Sequence, residues 1–172
     1  MFNKKEKFIL IITSIFIIVS VWFMFGKEVF FPSPIRSDDS TLMPEANGVS
    51  ETIGTGVRLE QNYQNSTDII SRIGIVFSRE NYYDDATLVI ELWNGNNLIA
   101  SNSYNAANIN SEHRTFLDVN TNGMKNKKLT IKIYSLNEND TGLRAMIQKR
   151  NDSTYIEGDY TTKGTICFQI EE

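Results

Sequence analysis

Ala86-Thr87-Leu88-Val89-Ile90-Glu91-Leu92-Trp93, followed by Asn94-Gly95-Asn96-Asn97 and then Leu98-Ile99-Ala100-Ser101-Asn102-Ser103, is the stretch that decides the fold class. Leu88, Ile90 and Leu92 recur with a period of two, which puts them on one face of a strand buried on one side. The Asn/Gly cluster behind them is a hairpin signal, because both residue types tolerate the positive φ of tight turns. Residues 98–103 then read as the return strand.

The same texture continues on either side. Upstream, residues 55–63 form a first strand candidate, and residues 72–79 set Ile73, Ile75 and Phe77 on one face. Downstream, residues 104–111 read as a single helical turn or a crossing loop, and residues 115–119 as a short strand. Residues 128–135 alternate cleanly, with Leu129, Ile131 and Ile133 inward and Lys132 outward. Residues 143–148 and 165–170 complete the set, the latter with Ile166, Phe168 and Ile170 on one face. Sustained helical periodicity is absent after residue 27, and there are no internal repeats. About eight short antiparallel strands with turn punctuation predict an all-β domain over residues 52–172, a β-sandwich of jelly-roll type.

Ahead of the domain lie two different segments. Residues 26–51 contain Pro32, Pro34 and Pro44 among Ser and Asp residues, a composition that suits an extended stalk. Residues 8–25 read FILIITSIFIIVSVWFMF, with no charge and only Thr13, Ser14 and Ser20 polar. A helix of eighteen residues rises about 27 Å, close to the hydrocarbon thickness of a bilayer. Lys4, Lys5 and Lys7 precede it, so the positive-inside bias makes residues 1–7 a cytoplasmic tip and the distal domain extracytoplasmic. A cleaved signal peptide would need a shorter apolar run and a small-residue site, whereas this run ends in Trp-Phe-Met-Phe-Gly-Lys-Glu. The expected arrangement is a single N-terminal transmembrane signal anchor in a cell membrane.

Charge and cysteine content narrow the partners. Beyond residue 26 the chain keeps 14 of its 17 basic and 20 of its 21 acidic residues, a net charge of −6. That mildly acidic surface argues against nucleic acid or anionic lipid as the main partner. Cys167 is the sole cysteine, so the domain stands without an internal disulfide. In its alternating run it reads as a small inert side chain. The 18 asparagines fall mostly between apolar runs, where they serve turns.

The order of features resembles that of carbohydrate-binding-module-like jelly-roll domains in the outer parts of bacterial envelope membrane proteins, some of them associated with surface polysaccharide. The resemblance rests on residues 57–63 (VRLEQNY), 73–78 (IGIVFS), 88–93 (LVIELW) before the Asn/Gly turn, Ala106-Ala107-Asn108-Ile109, 129–133 (LTIKI) and 155–159 (YIEGD). It implies the module. It carries over no sugar chemistry, because the polysaccharide enzymes have many spans or a separate catalytic domain.

Candidate site residues follow from residue type. Tyr82, Tyr83, Trp93, Tyr104, Tyr155 and Tyr160 fall where a binding rim would lie, and flat aromatic faces stack on sugar rings. Asp84, Asp85, Glu157 and Asp159 are the carboxylates that could hold a structural calcium or form a hydrolytic pair. None has the dense spacing of a calcium loop, and solvated turn carboxylates are the simpler reading. His113 stands in a polar connection with no nucleophile in a recognisable setting. Lys125, Lys127 and Lys128 read as a solvated turn. The expected function is a non-catalytic, single-pass envelope protein whose β-sandwich binds a cell-surface polysaccharide or a membrane-complex subunit, with no cofactor beyond a structural calcium. The alternatives are a small envelope glycan hydrolase and an adhesin-like structural subunit.

Overall fold

Along Lys128–Ser135, every second residue is buried, which is what strict alternation does to a strand lying on a core. The computed structural model describes residues 45–172 apart from Asp84, Glu112 and Glu138. The expected cytoplasmic tip, the span at 8–25 and most of the stalk lie outside the described residues. No helix among the described residues is long and apolar enough to cross a membrane.

The strands in chain order are β1 (Gly48–Val49), β2 (Leu59–Gln64), β3 (Ile70–Arg79), β4 (Thr87–Asn94), β5 (Asn97–Asn105), β6 (Arg114–Thr121), β7 (Lys128–Ser135), β8 (Leu143–Gln148), β9 (Thr154–Glu157), β10 (Tyr160–Lys163), β11 (Thr165–Ile166) and β12 (Phe168–Glu171). They form two antiparallel sheets. The first contains β1, β8, β3 and β6, joined by β11 and β12; the second runs β10-β9-β2-β7-β4-β5. The β4–β5 hairpin turns at Gly95 and Asn96, with Asn94 paired to Asn97. Gly95 has φ +58, the sign that a type II′ turn requires at its first central residue.

Between the sheets lies one apolar core. Ile73, Ile75 and Phe77 from β3 meet Leu88, Ile90 and Leu92 from β4 and Leu129, Ile131 and Ile133 from β7, all fully buried. The segment after β5 makes a single 3-10 turn, Ala106–Asn108. Arg79 on β3 holds it in place, donating to the Ala106 and Ile109 carbonyls at 2.6 and 2.5 Å.

Three expectations need correction. Residues 55–63 are not one strand: Gly54 and Val57 bridge each other around a tight turn, and β2 begins only at Leu59. The end of the expected stalk belongs to the sheet, since β1 pairs with β8 and the Ser50 hydroxyl accepts the Ala145 amide at 3.0 Å. Residues 165–170 are not a single alternating strand either. β3 and β8 pair only through residues 77–79 and 143–145 and then diverge. The chain's last segment fills the fork, β11 pairing with β8 and β12 with β3. Cys167 sits at the switch, its amide donating to the Met146 carbonyl at 2.8 Å. Ile166 and Cys167 are consequently both buried in succession, where alternation predicts only one. Burial pushes the Cys167 thiol up to about 11, so it is inert at neutral pH.

Candidate functional site

The inward turn of Leu88, Ile90 and Leu92 forces Val89, Glu91 and Trp93 onto the outer face of the second sheet. Register then decides their neighbours. Glu91 is paired with Lys132 on β7, and Lys132 with Glu60 on β2, so a carboxylate–ammonium–carboxylate row crosses three strands. Tyr134 stands opposite Val89, diagonal to Glu91.

These side chains are mutually fixed. Glu91 accepts the Trp93 indole N–H on Oε2 at 2.8 Å and the Tyr134 hydroxyl on Oε1 at 2.9 Å. One carboxylate thereby orients both aromatic rings. Burial, then the hydrogen bond and negative charge of Glu91, hold the Tyr134 phenol above its ordinary value. The Lys132 ammonium stands 5.0 Å from the Trp93 ring centre and 3.9 Å from Glu60 Oε1. Arg58 reaches the same Glu60 oxygen at 3.6 Å. Next to this row opens a cleft of about 580 Å³. Its walls include Gly54, Arg58, Glu60, Glu91, Lys132, Tyr134, Leu136 and, from the β9–β10 turn, Asp159.

The sequence-derived aromatics do not form one rim. Tyr82 and Tyr83 lie in the β3–β4 connection, 75% and 37% exposed, with the Arg79 guanidinium 4.3 Å over the Tyr82 ring. They precede β4 while Trp93 stands near its end, so the eight-residue strand, about 25 Å long, separates them. Tyr104 is half-buried and donates to the Phe116 carbonyl on β6, a bond between the sheets. Tyr155 is 2% exposed and belongs to the core. Tyr160 is exposed in β10, beside Asp159.

The carboxylates also scatter. Asp85 is exposed in the turn before β4, and Asp84 lies outside the described residues. Glu157 accepts the Glu51 amide at 2.6 Å and the Tyr155 hydroxyl at 3.3 Å, which ties β9 to the segment following β1. Asp159 alone of the four lines the cleft. Among the described residues, no three acidic, histidine or cysteine side chains are grouped closely enough to hold a metal. His113 is exposed, as are Lys125, Lys127 and Lys128.

Trp93 and Asp159 are therefore the two expected residues at this face. Glu60, Glu91, Lys132, Tyr134 and Arg58 were not singled out. For all but Arg58, which lies just before β2, an outward position in an alternating strand is the only signal that could have marked them. No protein-family model matches the chain, and no curated protein matches it in sequence.

Proposed function

We propose that this chain is a non-catalytic, single-pass envelope protein, anchored by residues 8–25, whose extracytoplasmic sandwich binds cell-surface glycan on the outer face of its second sheet. A jelly-roll reading of the sandwich is supported by the strand order 1-8-3-6 against 2-7-4-5, the interleaving that two Greek keys produce. The apolar run and its flanking lysines support the anchor.

The observation that carries the glycan reading is Glu91, which holds the Trp93 and Tyr134 rings beside a cleft whose other walls are both apolar, at Val57, Leu59 and Leu136, and polar, at Arg58, Glu60, Lys132 and Asp159. Preorganised aromatic surface with neighbouring hydrogen-bonding groups is what a sugar ring needs, since it has apolar faces and a polar edge. Binding is favoured over hydrolysis here because both Glu91 oxygens already accept internal hydrogen bonds and Glu60 faces two cations.

The test is an array of envelope polysaccharides and their oligosaccharides, probed with the full chain in detergent micelles and with its Trp93→Ala variant. Retention on at least one glycan that Trp93→Ala abolishes is the expected result. Absence of retention on every glycan, or retention indifferent to Trp93→Ala, overturns the reading. Co-purification with an envelope protein in place of glycan would move the site to the membrane-complex alternative.

A further inference from the structure

Within the cleft, charge and counter-charge are unevenly matched. Glu60, Glu91 and Asp159 contribute three carboxylates, and Arg58 and Lys132 two cations. Both cations turn to one oxygen of Glu60, at 3.6 and 3.9 Å. Among the described residues, neither Glu91 nor Asp159 has an ion-pair partner within 4.0 Å; Glu91 is held by neutral donors alone. Glu91 thus stands without a cation between an oriented indole and an oriented phenol, while Asp159 lines the cleft from the β9–β10 turn, three strands away from Trp93.

The protein also supplies its own stand-in ligand. The Lys132 ammonium sits over the Trp93 face at 5.0 Å, on the same side of the sheet as the cleft. An ammonium is attracted to an indole face by the ring quadrupole, and more strongly when carboxylates stand nearby. Lys132 is on a long flexible stem and is 35% exposed, so it can leave that place.

We infer that the cleft takes a glycan bearing an ammonium group, such as an amino sugar with a free amine, whose cation replaces Lys132 over Trp93 and is countered by Glu91. The inference rests on the glycan-binding reading above and names the chemical class of its ligand. A neutral N-acetylated sugar would find the stacking surface but leave Glu91 without a counter-charge. An anionic sugar would meet it with repulsion.

The discriminating experiment is calorimetric titration of the full chain in micelles with two tetrasaccharides of one backbone, tetra-glucosamine and tetra-N-acetylglucosamine, at a pH that keeps the amine protonated. The free-amine form is expected to bind about tenfold tighter. Glu91→Gln is expected to erase most of that preference, and Asp85→Asn, at an exposed acid in the turn before β4, to leave it unchanged. Lys132→Met should raise affinity for tetra-glucosamine, because the lysine no longer competes for the Trp93 face. Equal binding of both tetrasaccharides, or weaker binding by Lys132→Met, overturns the ammonium assignment while a Trp93-dependent interaction keeps the glycan reading. Binding of neither sugar, with no retention on any array member, removes both.

Discussion

Tyr134 on β7 donates its hydroxyl to Oε1 of Glu91 on β4 at 2.9 Å, a diagonal bond across the outer face of the second sheet. The two residues are 43 positions apart in the chain and meet only because β4 and β7 pair in one register. Because Glu91 also takes the Trp93 indole N–H, the three side chains form one unit. A double-mutant cycle of Tyr134→Phe and Glu91→Gln should give a coupling of about 0.5–1 kcal/mol, at the low end for a charged hydrogen bond because the pair is partly exposed. Urea unfolding of the four proteins measures it, and strict additivity would mean the bond contributes nothing.

Alkaline pH should destabilise the domain in a defined window. Burial, as the first cause in each case, raises the phenols of Tyr63, Tyr104, Tyr134 and Tyr155 above 10.0 and the Cys167 thiol from 9.0 to about 11. The folded state retains protons that the unfolded chain releases. That contribution is fully present below the unfolded values and is lost as pH rises through the folded ones. The urea midpoint should therefore stay level up to about pH 9, begin to fall with the thiol, and fall faster once the phenols join above 10. In Cys167→Ala the first part of the decline should vanish; a decline identical to that of the parent would contradict this assignment.

Thiol chemistry gives an independent check on the strand fork. Cys167 is fully buried between β11 and β12, so the native chain should resist alkylation at pH 8 and expose one reactive thiol in guanidinium. Rapid labelling under native conditions would mean that the terminal segment does not fill the divergence of β3 and β8.

Two glycines separate strain from collision. Gly142 has φ +64, and a Cβ there would lie 2.1 Å from the Asn81 carbonyl oxygen. Gly123 has φ +70 but nothing within 4 Å. Gly142→Ala should cost about 3 kcal/mol or more, since backbone must move, whereas Gly123→Ala should cost only the left-handed penalty of about 1–2 kcal/mol. Chemical denaturation of the two variants decides; equal costs would refute the close approach of the β7–β8 connection to Asn81.

Much of the fold was legible in local pattern. Leu88, Ile90 and Leu92, or Leu129, Ile131 and Ile133, declare a half-buried strand wherever they occur, and the Asn/Gly cluster declares its turn. The pattern failed where a strand changes partner. At Ile166-Cys167 two successive side chains are buried because the chain leaves β8 there and takes up β3 only from Phe168. It failed again at Gly48 and Val49, whose pairing with Met146 and Ile147 leaves no mark in a polar, Gly-containing stretch.

The site divides in the same way. Trp93 and Asp159 could be picked by residue type and turn position, and both stand at the cleft or its margin. Tyr155 could be picked the same way and lies in the core, because type alone does not say which face of a strand a ring occupies. Hydrophobic period and turn chemistry are properties of neighbouring residues, so the chain by itself determined that strands exist, where most of them turn and which faces they bury. Which strands lie side by side, and hence that Glu60, Lys132, Glu91 and Tyr134 share one surface, depends on pairing between segments tens of residues apart. Only the tertiary structure decides that, because register is set by the joint burial of both sheets and a slip of one residue would turn every one of those side chains to the other face.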